Sequence, residues 1–120
     1  MADITLYHGT TKDSADALLA SGWAPNSWTG GGNCGQRHYL YLTNGAENAM
    51  WFANEKGGDT VVEVSVPEEC LKVDPEDGIA DTVALELANR HGLPGSVVLT
   101  RALPADRFRE LPSPVPEGPF

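Results

Sequence analysis

The first residues in this chain that could do chemistry stand at the end of a short β-prone run, Leu6-Tyr7-His8-Gly9-Thr10. The imidazole of His8 offers ring nitrogens that donate or accept. Gly9 allows main-chain groups to face a ligand with no Cβ in the way, and Thr10 adds a hydroxyl. A second run, Tyr39-Leu40-Tyr41-Leu42-Thr43, puts Tyr39, Tyr41 and Thr43 on one strand face by two-residue alternation. Trp51 follows ten residues after Tyr41, on the helix expected next. Two aromatics so placed can sandwich a flat heteroaromatic ring by offset stacking. Each group also has a purely structural use. A histidine at a strand end can be satisfied by backbone, and aromatic side chains usually belong to a core.

The elements that must hold these residues follow from pattern and punctuation. Ile4 to His8 reads as a buried strand. Thr10 or Thr11 starts a helix with Asp13 in its first turn and an apolar stripe of Ala15, Leu18 and Leu19, and Ser21-Gly22 ends it. Residues 24–36 form a loop, and its run Thr29-Gly30-Gly31-Gly32-Asn33 could bring backbone close to a ligand. Tyr39 to Thr43 is a strand, Ala46 to Glu55 a helix closed by Gly57-Gly58, and Asp59 to Val66 a strand stopped by Pro67. Asp74 to Gly78 is an acidic turn. Asp81 caps a helix running to about Arg90. Ser96 to Thr100 is a further strand, and Phe108 to Leu111 a last short one. Irregular spacing between strands and helices predicts an α+β domain over 1–111, with a split, mainly antiparallel pair of sheets and short helices. The tail 112–120 carries four prolines and is expected to be extended and mobile.

Composition narrows the functional classes. With 17 acidic and 8 basic side chains, the net charge of −9 disfavours broad binding to nucleic acid, which relies on Lys and Arg neutralising phosphates. The same acidity predicts a soluble monomer. Met1-Ala2-Asp3 lacks the basic start of a secretory signal, and no apolar run approaches membrane-spanning length, so a cytoplasmic location without membrane association is expected. Cys34 and Cys70 are then free thiols in a reducing compartment. His8, His38 and His91 show no ligand spacing with either cysteine, and no metal is expected.

Taken together, the two motifs resemble the ADP-ribosyltransferases. Leu6-Tyr7-His8-Gly9-Thr10 is similar to that family's first motif, and Ala49-Met50-Trp51 to its small-x-aromatic segment downstream of the Tyr41 strand. The likeness runs over roughly residues 4–76, with a weaker strand at 95–101. It is strongest toward the small bacterial rifampin ADP-ribosyltransferases, in which an Asp-Pro element follows the next strand, as Asp74-Pro75 does here. The resemblance implies NAD as a substrate rather than a resident cofactor. His8 would bond the adenosine-side ribose, the Gly9 backbone would pair with the nicotinamide amide, and Tyr41 and Trp51 would frame the nicotinamide ring. Thr10 and Thr43 would complete the NAD-binding set, with His8, Tyr41 and an acid as the catalytic group. Gly30 to Gly35 would form a flexible wall over the ligand. Departure of nicotinamide leaves an oxocarbenium-like cation that a carboxylate steadies.

The chain departs from the pattern at that carboxylate. Many family members carry a Glu at the start of a late strand. Here that segment reads Leu93-Pro94-Gly95-Ser96-Val97-Val98-Leu99, with Ser96 at or beside the expected position. Asp74 is the substitute the rifampin enzymes suggest, with Glu76 and Glu86 behind it. The chain also lacks the further elements with which those enzymes hold the drug, so rifampin is not the expected acceptor. A protein, a nucleic acid or a small molecule remains open as acceptor, as does a role as toxin, defence factor or small-molecule modifier. Two rivals remain. The tRNA 2′-phosphotransferases share a His-Gly-Thr strand end, an Arg-x-His-type strand resembling Arg37-His38-Tyr39-Leu40-Tyr41, and a late segment resembling Gly95 to Thr100. They also carry an N-terminal lobe that has no counterpart here, and often an Arg where Tyr7 stands. The second rival is a non-catalytic NAD-binding module. The cysteine reading is checked by intact mass: the unreduced protein should carry two free thiols, and a Cys34–Cys70 bond would overturn the assigned compartment.

Overall fold

Eight consecutive residues, Asp3–Thr10, form β1, longer than the apolar run alone suggests. Gly9 and Thr10 stay in the strand because they continue its ladder with β3, through the pairs Gly9↔Val61 and Thr10↔Thr60. The computed structural model describes residues 3–25, 39–75, 78, 80–88 and 95–111. The Gly30 to Gly35 wall, Arg37, His38, Glu76 and the proline tail lie outside the described residues.

Thr11, not Thr10, starts helix α1 (Lys12–Ser21): its hydroxyl accepts from the Ser14 N–H at 3.3 Å. Gly22 closes the helix at φ +73, where a side chain would be strained. Strand β2 (Leu40–Thr43) turns through Asn44-Gly45 into α2 (Ala46–Glu55), and β3 (Thr60–Pro67) follows. A 3-10 turn at Glu68–Cys70 then leads into β4 (Leu71–Val73), a strand the sequence reading did not include. Helix α3 (Val83–Ala88) is capped by the Thr82 hydroxyl, which accepts from the Leu85 N–H at 3.2 Å, rather than by Asp81. Strands β5 (Ser96–Leu99) and β6 (Phe108–Glu110) complete the set.

The strands form one six-stranded antiparallel sheet in the order β4-β5-β2-β1-β3-β6. The expected pair of separate sheets is corrected to a single sheet. The physical reason is one pair, Tyr7↔Thr43, which alone registers β1 with β2. By contrast, β1 and β3 are paired over eight residues and β2 and β5 over four. The sheet is continuous, but its two halves meet at a narrow seam.

Alternation along the strands sorts the core. Leu6, Leu40, Leu42, Val62, Val64, Val66, Val97 and Leu99 share the larger cluster with Ala15 and Leu18 of α1, Trp23 and Phe108. The opposite face holds a smaller cluster of Ala49 and Val61, flanked by Tyr7, Met50 and Leu111. Each fully buried Leu or Val contributes roughly 1.5–3 kcal/mol by leaving water. Helix α2 lies across β1 and flanks β2 and β3. It lies so close that a Cβ built on Gly9 would come within 1.7 Å of the Ala49 carbonyl oxygen and 2.9 Å of the Ala53 nitrogen. On that face helix backbone fills the space left by the missing side chain. Gly9→Ala should therefore destabilise the fold by about 3 kcal/mol or more, since backbone must move to admit the methyl. Urea unfolding tests this, and a variant as stable as the parent would mean that α2 can shift off β1 freely.

Candidate functional site

The seam between β1 and β2 is where the sequence motifs meet. Beyond Tyr7↔Thr43 the strands part, so backbone groups on their facing edges need other partners. The edge on which Gly9 presents its carbonyl follows from the register. The Val61 carbonyl accepts from the Leu111 N–H at 2.9 Å, toward β6. In an antiparallel ladder a residue's N–H and C=O share one edge, so Gly9↔Val61 is a non-hydrogen-bonded pair and Gly9 faces β2. Two side chains fill the parted edges. Nδ1 of His8 lies 2.8 Å from the Tyr41 carbonyl oxygen, and Nζ of Lys56 donates to the Gly9 carbonyl at 2.8 Å.

A carbonyl only accepts, so the His8 proton is assigned to Nδ1, and Nε2 carries a bare lone pair. His8 is 1% exposed, and Nε2 has no hydrogen-bond partner among the described residues. Burial pushes the His8 pKa from 6.5 down to about 3, helped by the positive charge of Lys56 and opposed by the bond to Tyr41. At neutral pH this imidazole is therefore uncharged. It can accept a hydrogen bond at Nε2, but it is not poised as a general acid.

On the α2 face a polar row crosses three strands and ends on the residue after β4. Tyr7 pairs with Thr43 and Thr43 with Ser96, while the Asp74 N–H donates to the Ser96 carbonyl at 3.1 Å. The Ser96 hydroxyl donates to Oδ2 of Asp74 at 2.8 Å, and Asp74 is only 2% exposed. Asn48 of α2 donates to the Thr43 hydroxyl at 3.2 Å, tying the helix to this row. Glu86 is fully buried. Its two carboxylate oxygens accept from the N–H groups of Ala80 and Ser96, each at 3.0 Å. That carboxylate works as a staple between α3 and the head of β5. Asn44 does the same from the other side, accepting from the Gly95 N–H at 2.8 Å and donating to the Leu87 carbonyl at 2.9 Å.

The candidate residues are thus drawn to one seam but not to one face. Tyr41 alternates with Leu40 and Leu42, so its side chain leaves the sheet on the α2 side with Thr43. His8 lies in register with Val62, on the side of the larger cluster, as does buried Thr10 two residues on. The main-chain carbonyl of Tyr41 links the two. Trp51, one turn beyond Asn48 on α2, is 56% exposed and meets Phe52 edge to face, with centroids 5.1 Å apart at 78°. Lys56 was absent from the sequence reading: in Glu55-Lys56-Gly57-Gly58 it looks like any exposed cation after a helix. Among the described residues no group of three His, Cys, Asp or Glu could hold a metal ion, and no helix is long and apolar enough to cross a membrane.

No protein-family model, no curated protein and no solved structure matches the chain. The functional reading therefore stands on the residues and their geometry.

The state of His8 has a measurable consequence. Its folded-state pKa is depressed, so as pH falls the unfolded chain takes up the proton first. Stability is lost from about pH 6.5 downward, until the folded form also protonates near pH 3. Between pH 7.5 and pH 5 the parent should lose about 2 kcal/mol more than a His8→Gln variant. Chemical unfolding at the two pH values measures this difference, and equal losses would mean that the imidazole titrates alike in both states.

Proposed function

We propose that this chain is an NAD-dependent mono-ADP-ribosyltransferase, cleaving the bond between nicotinamide and ribose and passing ADP-ribose to an acceptor. One observation carries the reading. At or beside the position where the family resemblance expects an acid, Ser96 stands instead, and its hydroxyl donates to Asp74 at 2.8 Å. A carboxylate thus reaches the head of the late strand from the residue after β4.

The chemistry follows from charge. As the C1′–N bond breaks, both electrons leave with nicotinamide and the ribosyl carbon becomes cationic. A carboxylate shielded from water stabilises such a cation far more than an exposed one, because little solvent screens the attraction. The Ser96 hydroxyl donates to Oδ2 of Asp74 and keeps the carboxylate oriented. His8, neutral and with Nε2 bare, accepts a hydroxyl of the adenosine-side ribose. Tyr41 and Thr43 on the α2 side would frame the nicotinamide ring together with Trp51 of α2, and Gly9 and Thr10 would line the strand end. The acceptor nucleophile then attacks C1′ and loses its proton.

Nicotinamide release from NAD by the purified protein tests the proposal. Asp74→Asn should lower the rate by roughly 100-fold or more with little change in KM, because it removes charge stabilisation of the transition state. His8→Ala should mainly raise KM. Release that is equal in Asp74→Asn and the parent would remove Asp74 from the chemistry. NAD that binds and stays intact would leave a binding module, and no binding at all would end the reading.

A further inference from the structure

Lys56 closes α2, and its side chain folds back over the end of β1 to reach the Gly9 carbonyl. It differs from the chain's paired cations. Lys12 lies against Asp16 and Glu110, Arg107 against Asp3, and Arg109 against Glu63. No carboxylate pairs with Lys56 among the described residues, although the chain carries a net charge of −9. A mostly buried ammonium held by a single carbonyl has lost hydration that no acid replaces. Burial accordingly pushes its pKa from 10.5 down to about 8. Of its three N–H donors one is used among the described residues.

The second unsatisfied group is Nε2 of His8, the residue before Gly9 in β1, which is buried and has no hydrogen-bond partner among the described residues. Both side chains serve the parted edges of β1 and β2, Lys56 on the Gly9 carbonyl and His8, from the other face of the sheet, on the Tyr41 carbonyl. One strand end thus offers a cation with spare donors at Gly9 and, one residue back along β1, a neutral acceptor. The chemistry that satisfies both is an oxyanion joined to a hydroxyl, which is a sugar phosphate. We propose that Lys56 is the phosphate-binding residue of this site, gripping the diphosphate of the dinucleotide while His8 takes a ribose hydroxyl. The identity of the dinucleotide rests on the transferase reading, but the demand for an anion does not.

Calorimetry on the full chain, with ADP-ribose, inorganic pyrophosphate and adenosine as probes, tests the assignment. Lys56→Gln should weaken ADP-ribose and pyrophosphate by about tenfold or more while leaving adenosine unchanged, and Lys56→Arg should recover most of the loss. Lys56→Met keeps the apolar stem and must show the same loss if Lys56→Gln does not fold. Thermal unfolding confirms that each variant measured is native. Unchanged ADP-ribose affinity in a folded Lys56→Gln, or a parent that binds neither anion, overturns the proposal. Lys56-dependent pyrophosphate binding without nicotinamide release would remove the transferase reading and keep the anion site. Release by Lys56→Gln with unaltered KM for NAD would do the reverse.

Discussion

Everything in this fold is conditioned by how β1 and β2 part after a single registered pair. A strand edge in a protein interior must satisfy its carbonyls, and each one left bare costs on the order of 1–3 kcal/mol. Here the ladder stops at Tyr7↔Thr43, and the task passes to side chains: His8 serves the Tyr41 carbonyl and Lys56 the Gly9 carbonyl. Lys56 can reach that carbonyl because α2 lies directly on β1, and α2 can lie there because Gly9 has no side chain. A glycine, a helix end and two bases form one mechanical unit.

The head of β5 is built on a different economy. Its approach is pinned by three acceptors from separate segments: Asn44 takes the Gly95 N–H, Glu86 the Ser96 N–H, and Asp74 the Ser96 hydroxyl. A buried carboxylate is tolerated only when such donors surround it. Glu86 spends an oxygen on each of two backbone groups, one before α3 and one at β5, so its charge serves the fold. Asp74 receives a side-chain hydroxyl instead, from the residue in register with Thr43 and, through it, with Tyr7 at the seam. The strand register therefore ties the two ends of the candidate site to each other.

What could be read from sequence was what depends on neighbours along the chain. The span of α2 matched residue for residue, and β3 to within a residue at each end, because apolar periodicity and the Gly57-Gly58 and Pro67 stops are local signals. The shared face of Tyr41 and Thr43 was readable from alternation. Strand β4 was not: three residues after an acidic 3-10 turn carry too little pattern, and Leu71–Val73 is a strand only because β5 pairs with it. The single sheet was hidden for the same reason, since one long-range pair decides between one sheet and two. Thr82 displaced Asp81 as cap because the choice depends on where α3 begins, which its packing against β4 and β5 sets. The Ser96–Asp74 bond and the burial of Lys56 join residues 22 and 47 positions apart from their partners, Asp74 and Gly9. No composition or motif reports such distances.

The arrangement of charge at the seam is unfavourable to the fold taken alone. An acidic chain has put a mostly buried ammonium and a buried imidazole at one strand end, with no carboxylate on either among the described residues. The result is visible in both groups, each held well below its ordinary pKa. Selection for stability alone would favour an acid here or an apolar side chain of similar shape, because replacing a poorly compensated buried charge with packed apolar groups is often neutral or stabilising. Sites that break a local rule in this way are where function is expected to reside. An incoming oxyanion reverses the balance: it supplies the counter-charge that Lys56 lacks, and an attached hydroxyl fills Nε2 of His8. The same two groups that weaken the empty fold would then hold its ligand.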